Sequence, residues 1–311
     1  MRLVGFIALG LLFGCASTPK DADTFSESGV VSGSDMSQSA CKWPDTSVWV
    51  VVGDKGECIR YFQAGMERQN EIVHVFFHGD RLVHNPQNGT AWVPKGWYNN
   101  NSPNTLQGYA DREFQTFKIP YVRFSRPGVY GSSGDHKRRR LIREVDIVQA
   151  GLEALKKRYG IRRFALSGQS GGGHIVASIL PRRTDIICAV ITSGAVAVRE
   201  RVQIKGWLTD ATGLNNYFDP IDHVHQIPRI DERRIFIVGD PRDTNVPFST
   251  QVSYYDELKE SGHGVWLIKA KGRGSSYHGL SPVGFRVVKR CVDGEPASQI
   301  VKEFNLPDLS S

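Results

Sequence analysis

Short apolar runs recur along residues 48–270, and the stretches between them carry apolar residues at helical spacing instead. Val48–Val52 and Cys58–Phe62 read as a hairpin turned at Gly53-Asp54-Lys55-Gly56. Residues 72–77, 119–124, 163–167, 186–192, 235–238 and 265–270 are continuous enough in apolar character to be strands buried on both faces. Between them, Leu141, Val145, Val148, Leu152 and Leu155 predict a helix over 141–159 that stops at Gly160. Further helices are expected from about 171 to Leu180, closed by Pro181, and over 250–260, closed by Gly262. Strands alternating with helices of this length imply right-handed crossovers and a mostly parallel sheet with helices on both faces. In such a sheet the ligand lies at the carboxyl ends of the strands.

One of those strand ends has a distinctive composition. Phe164-Ala165-Leu166-Ser167 runs into Gly168-Gln169-Ser170-Gly171-Gly172, and a small-residue stretch of helical character follows. A Gly-x-Ser-x-Gly pentapeptide between strand and helix is a nucleophile elbow, where the serine is pushed out on a turn so sharp that side chains two positions away would collide with it. Gly168 and Gly172 remove those side chains. The turn exposes the Ser170 hydroxyl and leaves the Gly171 amide at the positive end of the next helix, suited to an oxyanion. A Gly-rich turn with an incidental serine would look the same over five residues, so the other strand ends decide.

They carry the complement. His78-Gly79-Asp80-Arg81 follows the strand at 72–77, and its glycine lets the chain turn and offer the Asp80 amide as a second oxyanion donor. Gly239-Asp240-Pro241-Arg242-Asp243 follows the strand at 235–238 and holds two candidate acids. His278 sits in the loop Gly272–Gly279 after the last strand, whereas His223, His225 and His263 precede the acid strand or end a helix, and His174 is expected to pack beneath the elbow. The order Ser, Asp, His is the order this sheet dictates.

Over residues 45–292 the chain resembles the α/β-hydrolase superfamily. Asp243-x-x-Val246-Pro247, Gln251, Leu258-x-x-x-Gly262 and the segment Tyr217-Phe218-Asp219-Pro220-Ile221-Asp222 are similar to the dienelactone-hydrolase and prolyl-oligopeptidase-type branch. The resemblance implies Ser170 as nucleophile, His278 as base and Asp243, rather than Asp240, as acid. The chain has no room for an oligopeptidase propeller and has serine where dienelactone hydrolases have cysteine, so neither substrate carries over.

The N-terminus changes the address. Residues 1–14 hold one charge, Arg2, and then an apolar run too short to cross a bilayer, which reads as a secretory signal. Leu12, Gly14 and Cys15 resemble a bacterial lipoprotein signal, which implies lipidation at Cys15 and attachment to the membrane through that lipid, with the outer membrane favoured by Ala16; ordinary secretion is the alternative. Residues 16–40 are rich in Ser, Thr, Asp and Gly and are expected to be a flexible tether, leaving 41–311 as the hydrolase domain. Export makes pairing of cysteines natural; Cys41–Cys58 is the expected disulfide, and Cys188 is read as a small core residue.

The net charge of +7 is mild, but His136-Lys137-Arg138-Arg139-Arg140 is dense and reads as a solvated helix start, the alternative being a face for anionic lipid or an acidic polymer. No metal-ligand spacing is present, no cofactor is implied, and no nucleic-acid-binding module is recognisable. Residues 81–115, with Asn85, Trp92, Trp97 and Tyr98, show little periodicity and read as a long excursion near the oxyanion loop, its tryptophans packing a small cap or, alternatively, its aromatics and amides meeting a sugar or peptide-like ligand. Arg126–Gly134 is expected to rim the pocket and residues 199–231, with Trp207, Tyr217 and Phe218, to form a modest lid. A basic and aromatic rim favours a polar or anionic acyl substrate. The sequence therefore points to an envelope-anchored serine hydrolase acting on an ester or amide of a small molecule or peptide. A peptidase for short peptides and a non-catalytic surface lipoprotein that keeps the fold as a binding module are the alternatives.

Overall fold

Alternating apolar residues divide one central sheet between two faces, and that division is what the helices follow. The computed structural model describes residues 25–43, 45–84, 92–94 and 98–310. The strands are β1 (Ser47–Val52), β2 (Lys55–Ala64), β3 (Asn70–Phe77), the short β4 (Leu82–Val83) and β5 (Val93–Pro94), β6 (Tyr121–Phe124), β7 (Ile161–Gln169), β8 (Ile186–Thr192), β9 (Arg234–Gly239) and β10 (Val265–Lys269). Eight of them form a sheet in the order β1-β2-β6-β3-β7-β8-β9-β10, and β4 and β5 pair apart from it. From β6 to β10 the neighbours are parallel, while β1 and β2 are an antiparallel hairpin joined antiparallel to β6.

Ala189, Ile191, Ile235 and Ile237 bury on one face with α3 (Ile142–Arg158), α4 (Gly171–Ile179) and α6 (Phe248–Glu260). Their neighbours Val190, Phe236 and Val238 bury on the other, with α7 (Ser281–Val292) and α8 (Ala297–Phe304). Period-2 side chains on a doubly covered sheet produce this division. A third cluster joins Phe62, Phe76 and Tyr121 to Leu106 and Ala110 of α2 (Pro103–Phe117). The fold is the α/β-hydrolase fold anticipated from the sequence.

Several expectations are corrected. Residues 25–40, the described part of the supposed tether, are packed: α1 (Glu27–Ser32) buries Val30, Phe25 lies 5.3 Å from the Tyr130 ring, and Ser34 bridges to Gly134. Phe25, Val30 and Val31 pack on the core, and backbone bonds to Asn101 and Gly134 hold the polar remainder of the segment. Cys41 and Cys58 are joined as expected, but Cys188 is not a lone core residue, since it is bonded to Cys291 of α7. The excursion after β3 contains a helix, α2. The leader, Cys15, Asn85 and Trp97 lie outside the described residues.

Candidate active site

The carboxyl edge of the parallel strands brings Ser170, His278 and Asp243 together, with the Asp80 turn against Gly171 beside them. Ser170 follows β7 with φ 59° and ψ −119°, a left-handed backbone that a serine adopts only under restraint. The restraint is visible: its amide donates to Thr192 O at 2.9 Å, and its carbonyl accepts from His174 N at 3.1 Å and Ala195 N at 3.3 Å. The glycines are required by space. A Cβ on Gly168 would stand 2.1 Å from Gly172 O, and one on Gly172 would stand 1.9 Å from Phe77 O.

Of the two acids, Asp243 is the one beside the histidine. Its Oδ2 lies 2.7 Å from His278 Nδ1, and its Oδ1 accepts the amides of Asn245 and Val246 at 2.8 and 3.0 Å. Asp240 instead accepts from the Arg242 guanidinium and from Gly272 N at 2.7 Å, tying the histidine loop to the end of β9. Because a carboxylate only accepts, the proton of the imidazole sits on Nδ1 and Nε2 keeps its lone pair. Nε2 is buried and makes no hydrogen bond among the described residues, Ser170 Oγ included. Ser170 and His278 line one cavity of about 580 Å³. A serine–histidine contact left open without substrate is ordinary for such sites.

Gln169, which the sequence reading passed over, fixes the histidine loop. Its Nε2 donates to His278 O at 2.7 Å, and its Oε1 accepts from Leu280 N at 2.9 Å, Thr192 Oγ1 at 3.0 Å and Ser281 Oγ at 3.3 Å. The residue before the serine thus bolts β7, β8 and the start of α7 together. No local signal marks it, because its partners are more than a hundred residues away in the case of the loop.

The Asp80 segment lies against the elbow. A Cβ on Gly79 would meet Ser170 Cβ at 3.2 Å, and one on Gly171 would meet Asp80 Oδ1 at 2.0 Å. The Asp80 carboxylate is ringed by Arg126 at 2.9 Å, Arg139 at 3.1 Å and Arg140 at 2.5 Å. Burial opposes its charge, yet the guanidiniums of Arg140, Arg139 and Arg126 hold its pKa well below the ordinary carboxylate value. Arg126 also pairs with Glu144, and Arg140 with Asp210. The run 136–140 is therefore no solvated helix start: His136, Arg139 and Arg140 are buried, and only Arg138 is exposed. A guanidinium that finds carboxylates on both sides leaves water without stranding its charge.

The cavity's far wall also differs from expectation. Tyr109 and Glu113 of α2, Arg123 of β6 and Phe285 of α7 line it, while no residue of the expected lid, 199–231, does so. The 126–134 loop supports the site from behind: Tyr130 stacks on Tyr98 at 5.0 Å and its amide donates to the Tyr98 hydroxyl. His174 is buried as expected, bonded to Phe218 O at 2.8 Å. No cluster of side chains suited to a metal ion occurs among the described residues.

A strained serine between β7 and α4, with an aspartate-paired histidine after the last strand, is the arrangement of an α/β-hydrolase fold, and known structures agree on the fold. An esterase of Pyrococcus furiosus is similar with a TM-score of 0.55 at 13% identity, over 85% of this chain and 97% of that one. Est1E from Butyrivibrio proteoclasticus, solved with ferulic acid bound, gives 0.56 at 15% identity over 80% and 98%. The acylaminoacyl peptidase of Pyrococcus horikoshii gives 0.53 at 19% over 80% of this chain, which spans only 39% of that enzyme's length. No protein-family model matches the chain, and no curated protein matches it in sequence.

Proposed function

We propose that the chain is a serine hydrolase that cleaves esters through Ser170, His278 and Asp243. The observation that carries the reading is the 2.7 Å Asp243–His278 bond, which leaves a basic Nε2 beside the cavity that holds Ser170. In the reaction His278 Nε2 takes the Ser170 proton as Oγ attacks the carbonyl, and Asp243 stabilises the imidazolium. The Gly171 and Asp80 amides bind the tetrahedral oxyanion. His278 then passes the proton to the leaving alcohol, and a water activated by the same nitrogen releases the acid from the acyl-enzyme. The neighbours of like length, an esterase and a ferulic-acid-binding protein, support ester over amide.

Labelling by a fluorophosphonate probe tests this. Wild-type protein is expected to label and to hydrolyse short aryl esters, with both lost by at least about a thousandfold in Ser170→Ala and His278→Ala. A folded wild type that neither labels nor hydrolyses would reject the enzyme and leave the binding-module reading. The apolar leader and Cys15 support a cell-envelope address for this activity. Wild type then fractionates with membranes and Cys15→Ser does not; a soluble wild type would contradict the anchor.

A further inference from the structure

Arg123 stands out in the cavity that Ser170 and His278 share. Its guanidinium lies over two aromatic rings, 5.3 Å from Phe76 and 5.4 Å from Tyr109. Those faces favour a cation but offer no hydrogen-bond acceptor in the guanidinium plane. Arg123 Nε is buried without a hydrogen-bond partner, and the polar group beside the guanidinium on the same face of β6, the buried Tyr121 hydroxyl, is held neutral by burial and brings no countercharge. No carboxylate among the described residues lies within ion-pair distance of Arg123, in contrast to Arg126, Arg139 and Arg140 behind the elbow. Glu113 shares the wall but stands beyond ion-pair distance of Arg123; burial raises its pKa, opposed by Arg123 and Arg112. A guanidinium remains charged at any working pH, and buried donors are nearly always satisfied. A countercharge within ion-pair distance is therefore missing from this wall, and the cavity that Arg123 lines is open to supply one.

We infer that Arg123 is the anchor for a carboxylate on the substrate, so that the enzyme selects esters whose acyl chain ends in a second, free carboxylate. The planar fork of a guanidinium matches a carboxylate bidentately, which a phenyl or alkyl terminus cannot use. Phe76, Tyr109 and Phe285 would cover the apolar chain between that carboxylate and the ester. The reading rests on the proposed serine chemistry for turnover but not for binding.

The test compares the mono-4-nitrophenyl ester of adipic acid with the same compound methylated at its free acid. Wild type is expected to favour the free acid at least about tenfold in kcat/KM, the preference lying in KM, since a hydrogen bond to a charged group is worth that much. The preference should shrink with added salt. Arg123→Gln should bring the ratio to within about twofold of unity and Arg123→Lys should keep part of it. A wild-type ratio near unity, or a ratio unchanged in folded Arg123→Gln, overturns the inference. Adipate binding to Ser170→Ala, followed by calorimetry, separates the two readings: binding without any turnover by wild type would reject the hydrolase and keep the anion site, and turnover of the methyl ester without adipate binding would do the reverse. Should Arg123→Gln not fold, the wild-type ratio and the adipate titration still decide.

Discussion

At the scale of single residues, the site depends on contacts that hold the histidine rather than on the reacting atoms alone. Gln169 bonds to three residues of the 278–281 segment and to Thr192 while lining the cavity beside Ser170 and His278. Replacing it by leucine keeps the volume and removes every bond, so the imidazole is free to drift from Ser170. Misplacement on the scale of 1 Å costs about a hundredfold. Gln169→Leu is expected to lower kcat on aryl esters by about ten- to a hundredfold with KM changed less than about threefold, and to slow fluorophosphonate labelling in step. A purely structural residue would lower the melting temperature without that split, and a rise in KM at constant kcat would show that Gln169 holds substrate instead. Gly168 was legible from spacing because its need is local, set by Gly172 four residues on, whereas the contact of Gly172 with Phe77 O and the bonds of Gln169 appear only when the chain closes on itself.

At the scale of elements, that same distinction separates what the sequence told from what it did not. The strands of the parallel sheet were legible because both faces are buried and each run is apolar throughout, as in Ile186–Thr192. The loops after β3, β7, β9 and β10 could then be assigned to one edge, and Asp243 with His278 followed. The helix α2 was not legible: it buries only Leu106 and Ala110 and carries Gly108 between them, so its apolar period is two residues deep. The run 136–140 misled for a related reason. Its partners Asp80 and Asp210 lie 60 residues before and 70 residues after Arg140, and a basic run without visible acids reads as solvated. Cys188 had the same defect, its partner being 103 residues on. What the sequence conceals is thus the shell around the site, where α2 supplies the far wall and the buried arginines brace the Asp80 turn against Gly171.

At the scale of the whole molecule, four buried histidines make the fold sensitive to acid. Burial pushes His74 down to about 3 and His174 to about 4, and His78 and His136 well below the ordinary value, with the guanidiniums of Arg81, Arg126 and Arg139 adding to the last two. None of the four has a carboxylate at hydrogen-bond distance: His74 bonds to Ser167, His78 to Gly79 O, His136 to Pro127 O and His174 to Phe218 O, and the charges of Asp80 near His136 and Glu144 near His174 only partly offset burial and the guanidiniums. In the unfolded chain each binds a proton near pH 6.5. The unfolded state therefore holds more protons than the folded one below that pH, and stability rises with pH through this window. Falling pH removes about 1.4 kcal/mol per unit for each histidine, from about 6.5 down to the folded values. The buried carboxylate of Asp80 adds its own loss only below about pH 4, where an unfolded aspartate protonates. Between pH 6 and 4.5 the histidines dominate, opposed by Glu113 and Asp219, whose pKa values burial raises, and roughly 2 kcal/mol each by pH 5 is comparable in sum with the whole stability of a typical domain. Denaturant unfolding should show the midpoint dropping steeply across that interval, and calorimetry in buffers of different ionisation enthalpy should show three to four protons taken up on unfolding at about pH 5. His174→Gln should take up one fewer. An uptake below one proton would mean that these imidazoles are already charged in the folded state, and the acid sensitivity would then have to come from the carboxylates.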